Sequence, residues 1–174
     1  CHGENLGGQL WIDNPALGQV VTPNLTKGKG GVGTRYTDID FVRAIRHGVK
    51  QDGKPAPFMP SEEYYGLNDA DLGDLIAYLK TLPPVDSTRP AGANFQPLGM
   101  ILFVTGQLGP LAADVIPHTA ARPTAPPRGV TPEYGKYLTS LGCQDCHGAN
   151  LAGIPPGAAD ENSPPPGPNL TDVD

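Results

Sequence analysis

The sequence predicts an all-α chain of two small helical domains in tandem, the second incomplete, and three observations carry that expectation. A block at the start, Cys1-His2-Gly3-Glu4-Asn5-Leu6-Gly7-Gly8, returns as Cys146-His147-Gly148-Ala149-Asn150-Leu151-Ala152-Gly153. Pro23-Asn24-Leu25-Thr26 follows the first block at the interval at which Pro168-Asn169-Leu170-Thr171 follows the second, so the repeat keeps its register. Elsewhere the apolar periodicities are helical and carry helix start and stop signals.

Each element follows from local chemistry. Thr37 and Asp40 form a capping-box pattern, Phe41, Ala44 and Ile45 fall at helical spacing, and Gly48 stops the run, which predicts a helix over about 37–47. Asn68 starts a second helix, over 68–82, with Leu72, Leu75, Ile76 and Leu79 on one face; Asp69, Asp71 and Asp74 lie toward its positive end and Pro83-Pro84 terminates it. Between them, Gly53 to Pro60 contains Met59 and three prolines and is expected to be an extended, rigid loop. Leu98 to Ile116 is apolar and uncharged until Asp114, but Gly99, Gly106, Gly109 and Pro110 interrupt it, so a pair of short helices is expected rather than a membrane span. Pro117 to Arg128 is a semi-rigid Pro/Ala spacer. Thr131-Pro132 then opens a helix whose stripe of Tyr134, Tyr137, Leu138 and Leu141 leads into Cys143, and loop is expected after His147. The expected organisation is a first domain over 1–89, an apolar then Pro-rich connector over 90–130, and the start of a second domain over 131–174.

Composition leaves such domains short of core. The 174 residues include 23 glycines and 21 prolines, with only 38% hydrophobic and 6% aromatic content. A formal charge of -6 argues against a nucleic-acid partner and for a partner with a basic docking surface. The three cysteines are an odd number, which fits poorly with a closed set of disulfides.

Cys143-Gln144-Asp145-Cys146-His147 is a complete C-x-x-C-H element, in which two thiols bond covalently to a haem and the adjoining imidazole ligates its iron. Cys1-His2 is the ending of the same element, so two haem c sites are expected, and a haem between short helices supplies the missing core. A zinc site or redox switch drawing on Cys1, His2, Cys143, Cys146 and His147 is the competing reading; each half carries its own downstream loop, which favours separate cofactors.

These residues resemble the small class I cytochrome c domain, particularly the repeated haem modules in cytochrome subunits of bacterial membrane dehydrogenases. The matching pieces are Cys-His-Gly with Asn-Leu and Gly, then Pro-Asn-Leu-Thr, Arg43-Ala44-Ile45-Arg46-His47-Gly48-Val49, Phe58-Met59-Pro60, and Leu67 through Val85. The resemblance implies that His2 is the proximal and Met59 the distal iron ligand of the first site, that His147 is proximal in the second, and that the carbonyls of Pro23 and Pro168 orient the two imidazoles. It implies a helix like 68–82 crossing the helix before the haem motif. Repeat one departs from the pattern in lacking the Cys expected three positions before Cys1, so either upstream residues, including the first helix, are missing or this haem has a single thioether. Repeat two lacks its Met loop, which at the repeat interval falls beyond Asp174. The long interval from His2 to Pro23 implies an inserted loop containing Trp11.

The expected function is a multihaem c-type cytochrome, not an enzyme, that relays single electrons between redox partners through His/Met-ligated haems. The alternatives are a dihaem peroxidase-like enzyme with one open haem, or a haem conductor within an extracellular polymer. Covalent haem attachment implies by resemblance a periplasmic or extracellular location, and association with a membrane complex of a respiratory chain is a further expectation. Other candidates carry duller readings. Met100 reads as core filler, His47 as a helix-terminal cation site and His118 as a connector histidine, with iron ligation the alternative for both histidines. Arg35, Arg46, Tyr36 and Trp11 are candidate partners of haem propionates, with solvated placement the alternative for the arginines, and Tyr64 and Tyr65 are candidates to pack the Met loop.

Overall fold

The computed structural model describes residues 1–121, 124–154 and 167–171. Two strands open the chain, β1 (Leu10–Asn14) and β2 (Gly18–Val21), followed by helices α1 (Asp38–His47), α2 (Ser61–Tyr64) and α3 (Asp69–Thr81). A third strand, β3 (Gly92–Phe95), leads to α4 (Pro97–Val104) and α5 (Ala112–Val115), and the chain continues through α6 (Pro132–Thr139) and α7 (Cys143–His147). Residues group into two compact units, one of Cys1–Glu62 with Asp69–His118, the other of Glu63–Asn68 with Thr119–Asp174. The loop expected after His147 falls largely on residues 155–166, outside the described residues.

The all-α expectation is wrong, because the first unit contains an antiparallel sheet in the order β1-β2-β3. The insertion expected around Trp11 is a β-hairpin. Asn14 closes its turn by accepting from the backbone N–H groups of Ala16 and Leu17 at 2.9 and 3.1 Å. The register shifts between Leu10 and Ile12, so Trp11 stands in an irregularity that breaks the two-residue alternation. β3 has the sequence Gly-Ala-Asn-Phe, which carries no β-branched residue, and it pairs with β2 from Gly18↔Phe95 to Val21↔Gly92. Gly18 has φ of +114°, and a Cβ there would lie 2.2 Å from the Asn94 carbonyl oxygen. Only glycine lets these strands approach so closely.

The helices follow their local signals. Thr37 and Asp40 complete the capping box of α1, and Gly48 ends it in a left-handed conformation at φ of +64°. α1 packs on α3 in an antiparallel sense, tied at one end by Lys80 to Asp38 at 2.7 Å and at the other by Arg46 to Asp69 at 2.9 Å. Phe41 and Ile45 of α1 and Leu72, Ile76 and Leu79 of α3 form the apolar centre of this unit with Val20, Val32, Ala112 and Ile116. In the second unit, α6 begins at Thr131, whose hydroxyl accepts from Tyr134 N–H, and Tyr137 accepts through its hydroxyl from the backbone N–H of Asn68 at 3.1 Å. Tyr65 donates to the Ala120 carbonyl at 2.8 Å. Among the described residues no helix is long and apolar enough to cross a membrane.

A polar knot closes the first unit. Asn24 and Thr26 are 2% and 0% exposed. Asn24 donates through its amide to the Val85 carbonyl at 2.6 Å, and the Thr26 hydroxyl accepts from Val85 N–H at 2.9 Å and from Gly28 N–H at 3.2 Å. The same hydroxyl has one proton, which the Asn24 side-chain oxygen receives at 2.8 Å. The Pro-Asn-Leu-Thr loop is thereby fastened to the segment that follows α3. Thr26→Val keeps the shape but strands the Val85 and Gly28 N–H groups, so it is expected to lower unfolding stability by about 1–3 kcal/mol in a denaturant titration.

Thr37 N–H and hydroxyl, followed by the Gln51 amide, donate to the Asp40 carboxylate and hold its pKa below the ordinary carboxylate value. A depressed folded pKa contributes stability that is present above the unfolded value near 4 and is lost as pH falls through the lower folded one. Asp40→Asn is therefore expected to lower the urea midpoint at about pH 7 and to narrow the difference between variant and parent at about pH 3.

Candidate functional site

The two copies of the Cys-His block fold into one local structure. In the first, Gly8 N–H donates to His2 C=O at 2.9 Å, Leu6 N–H to Gly3 C=O at 3.1 Å and Leu25 N–H to Leu6 C=O at 2.8 Å. In the second, Gly153 N–H donates to His147 C=O at 2.8 Å, Leu151 N–H to Gly148 C=O at 2.9 Å and Leu170 N–H to Leu151 C=O at 2.9 Å. The backbone repeats as well. Leu6 and Leu151, both non-glycine, take left-handed φ values of +56° and +60°. Thr171 bonds the Asn169 side chain as Thr26 bonds that of Asn24, at 2.7 and 2.8 Å between hydroxyl and amide oxygen.

Both blocks exist to hold an imidazole. His2 Nδ1 lies 2.9 Å from the Pro23 carbonyl oxygen, and His147 Nδ1 lies 2.7 Å from that of Pro168. A carbonyl only accepts, so Nδ1 carries a proton in each ring, which leaves Nε2 as the nitrogen that could ligate a metal. Burial holds the His2 pKa below its ordinary value, against the raising effect of the Pro23 carbonyl, which keeps the ring in the neutral form that ligates metals. The residue before each proline anchors the neighbouring cysteine carbonyl. Thr22 does so through its hydroxyl on Cys1 at 2.7 Å, and Gly167 through its N–H on Cys146 at 2.7 Å. The thiols of Cys1, Cys143 and Cys146 are free and exposed. Free thiols beside an oriented, neutral imidazole are the donor set that covalent haem attachment requires, so these residues fit haem c.

Met59 occupies a half-buried turn fixed on both sides. Downstream, Ser61 is 0% exposed, donates its hydroxyl to the Ala44 carbonyl of α1 at 2.9 Å, and gives its N–H to the Met59 carbonyl at 2.8 Å. Upstream, Phe58 sits at φ of +64°, a conformation that costs a non-glycine residue about 1–3 kcal/mol. Its ring meets Trp11 of β1 at 5.8 Å and Phe95 of β3 at 6.2 Å, both edge to face, and Phe95 stacks on Phe103 of α4 at 5.0 Å. None of these long-range partners was legible from spacing.

The remaining candidates lie elsewhere. His47 and His118 pair through Nδ1 atoms 2.9 Å apart, and His118 Nε2 donates to the Ala113 carbonyl at 2.7 Å. Arg46 is 4% exposed and pairs with Asp69, so it is not the solvated arginine its helix-terminal position suggests. Arg35 gives its carbonyl to the Gln51 side chain, and Tyr36 meets Phe41 edge to face at 5.4 Å. Met100 is exposed on α4 rather than buried as filler, beside exposed Leu98, Ile101 and Val104. Tyr64 and Tyr65 belong to α2 and the turn after it, with Tyr65 tied to Ala120.

Gly8 lies against the proline loop at φ of +77°, where a Cβ would come within 2.6 Å of the Thr22 carbonyl oxygen and 2.8 Å of Asn24 N. Gly8→Ala must displace the loop that supplies the Pro23 carbonyl. It is expected to destabilise the protein by more than about 1 kcal/mol, with the loss read by thermal melting.

The family model for cytochrome c matches residues 1–83. The chain is 38% identical over 98 residues to the fructose dehydrogenase cytochrome subunit of Gluconobacter japonicus, a match that covers 52% of this chain and 20% of that protein. It is 33% identical over 156 residues to the gluconate 2-dehydrogenase cytochrome c subunit of Pantoea cypripedii, covering 84% of this chain and 34% of that protein. The cytochrome c subunit of the quinone-dependent alcohol dehydrogenase of Gluconobacter oxydans is 33% identical over 102 residues, 57% of this chain and 21% of that protein. The chain thus spans between about a fifth and a third of the length of these relatives. The His2 imidazole on its proline carbonyl, the exposed thiols and these matches agree: residues 1–83 match the cytochrome c family, and the chain is similar to cytochrome subunits of bacterial dehydrogenases.

Proposed function

We propose that the chain is a multihaem c-type cytochrome segment that passes single electrons between redox partners and catalyses no bond-making step. The observation that carries this reading is the duplicated imidazole-to-proline bond, His2 to Pro23 and His147 to Pro168, each beside a cysteine. Two copies of one ligand cradle support two haem c sites, the first with Cys1 and His2, the second with Cys143, Cys146 and His147. Haem c supplies the one-electron couple. The chain's own residues set its terms: His2 offers a neutral nitrogen, and Met59 offers a neutral thioether that favours the reduced state. His2 and Met59 would together supply both protein donors to a haem iron and leave no position for a substrate, which supports a carrier over a peroxidase in the first site.

The organisation proposed remains two haem domains, over 1–89 and from 131 onward, with 90–130 between them. The relatives are named as cytochrome subunits of fructose and gluconate dehydrogenases, which supports a dehydrogenase as electron donor and a place in a complex outside the cytoplasm, where c-type attachment is expected. Intact mass of the purified protein is expected to show two covalently added haems, and Cys143→Ser with Cys146→Ser should leave one. Met59→Ala is expected to lower the reduction potential and abolish the weak long-wavelength band of thioether-bound ferric haem, while a colourless protein would sink the assignment.

A further inference from the structure

We infer that Phe58 is a positioning residue for Met59, and that the sheet serves as a brace that holds it through Trp11 and Phe95. This rests on the reading of Met59 as an iron ligand. Ala56, at the start of the turn carrying Met59, is anchored by its N–H on the Gly48 carbonyl at 2.7 Å, but Met59 N–H reaches the Ala56 carbonyl only at 3.4 Å, the long end of the range. Its thioether is therefore located by its two flanks. Ser61, buried on α1, fixes one. The other is Phe58, held in a left-handed conformation at φ of +64° that a phenylalanine does not adopt unless its surroundings compel it.

The compelling contacts come from distant parts of the chain. Trp11 stands at the register irregularity of β1 and Phe95 at the end of β3, and their rings close on Phe58 at 5.8 and 6.2 Å with interplanar angles of 62° and 69°. Phe95 is backed in turn by Phe103, stacked at 5.0 Å with an interplanar angle of 29°. β2 joins the two arms of this clamp, because it pairs with β1 on one side and β3 on the other. Removing one arm lets the backbone at 58 relax toward an ordinary conformation, and the thioether leaves its position more of the time. An external ligand then competes with Met59 from a larger open population, and its apparent affinity rises in proportion.

The test uses the full haem-loaded chain in the ferric state, titrated with imidazole and followed by the thioether band. Trp11→Ala and Phe95→Leu are expected to retain the band while binding imidazole about tenfold more tightly than the parent, and Trp11→Phe to restore parental affinity. Circular dichroism checks that each variant is folded before its imidazole affinity is read. A lower melting temperature with unchanged imidazole affinity in both clamp variants would mean that the rings merely stabilise the fold, and would overturn the inference. Met59→Ala separates the two readings. If that change leaves the spectrum unaltered, the ligand assignment itself fails; if it removes the band while the clamp variants match the parent, only the brace fails.

Discussion

The hydrogen bond from an imidazole Nδ1 to a proline carbonyl is the constraint on which this chain is organised. It settles the tautomer without any charged neighbour, because an amide oxygen has nothing to donate. Proline suits the acceptor side, since its fixed φ limits how far that carbonyl can swing. The surroundings then read as supports. Gly8 allows the loop to approach, Leu6 turns the backbone back toward it, and Asn24 and Thr26 bind its far side. In the second copy Gly153 and Leu151 stand at the equivalent places, and Asn169 and Thr171 repeat the bond between Asn24 and Thr26.

The thioether side is organised on another principle. Ser61 is the polar anchor on one flank of Met59; on the other, Phe58 is held by aromatic edges in a strained backbone conformation. Dispersion and quadrupole contacts of this kind are individually small, and they act together only because the strands set three rings at fixed separations. The sheet that the fold expectation missed thus lies against the turn that carries Met59.

What could be read from the sequence follows the range of the interactions. The α1 capping box, its glycine stop and the start of α6 involve residues a few positions apart, and each lies where local chemistry places it. The duplicated Cys-His and Pro-Asn-Leu-Thr blocks were also visible, because repetition at a fixed interval requires no knowledge of the fold. The strands were hidden. A shift in β1 breaks alternation at Trp11, and β3 begins with glycine and contains no β-branched side chain, so neither presents the pattern that identifies a strand. Burial of Arg46 was hidden too, since its partner Asp69 lies on another helix. The clamp on Phe58 joins residues from three separated segments, which no periodicity connects.

The knot at Val85 has a dynamic corollary. It welds the loop after the first Cys-His block to the chain just beyond α3, closing a circuit that encloses α1, the methionine turn and α3. Fraying that begins at the far end of α3 cannot remain a local event, because releasing Val85 also frees the loop whose carbonyl steadies His2. Amide protons on both sides of the circuit belong to one cooperative opening, and thermal breathing of a helix terminus is felt at the carbonyl that orients the His2 ring.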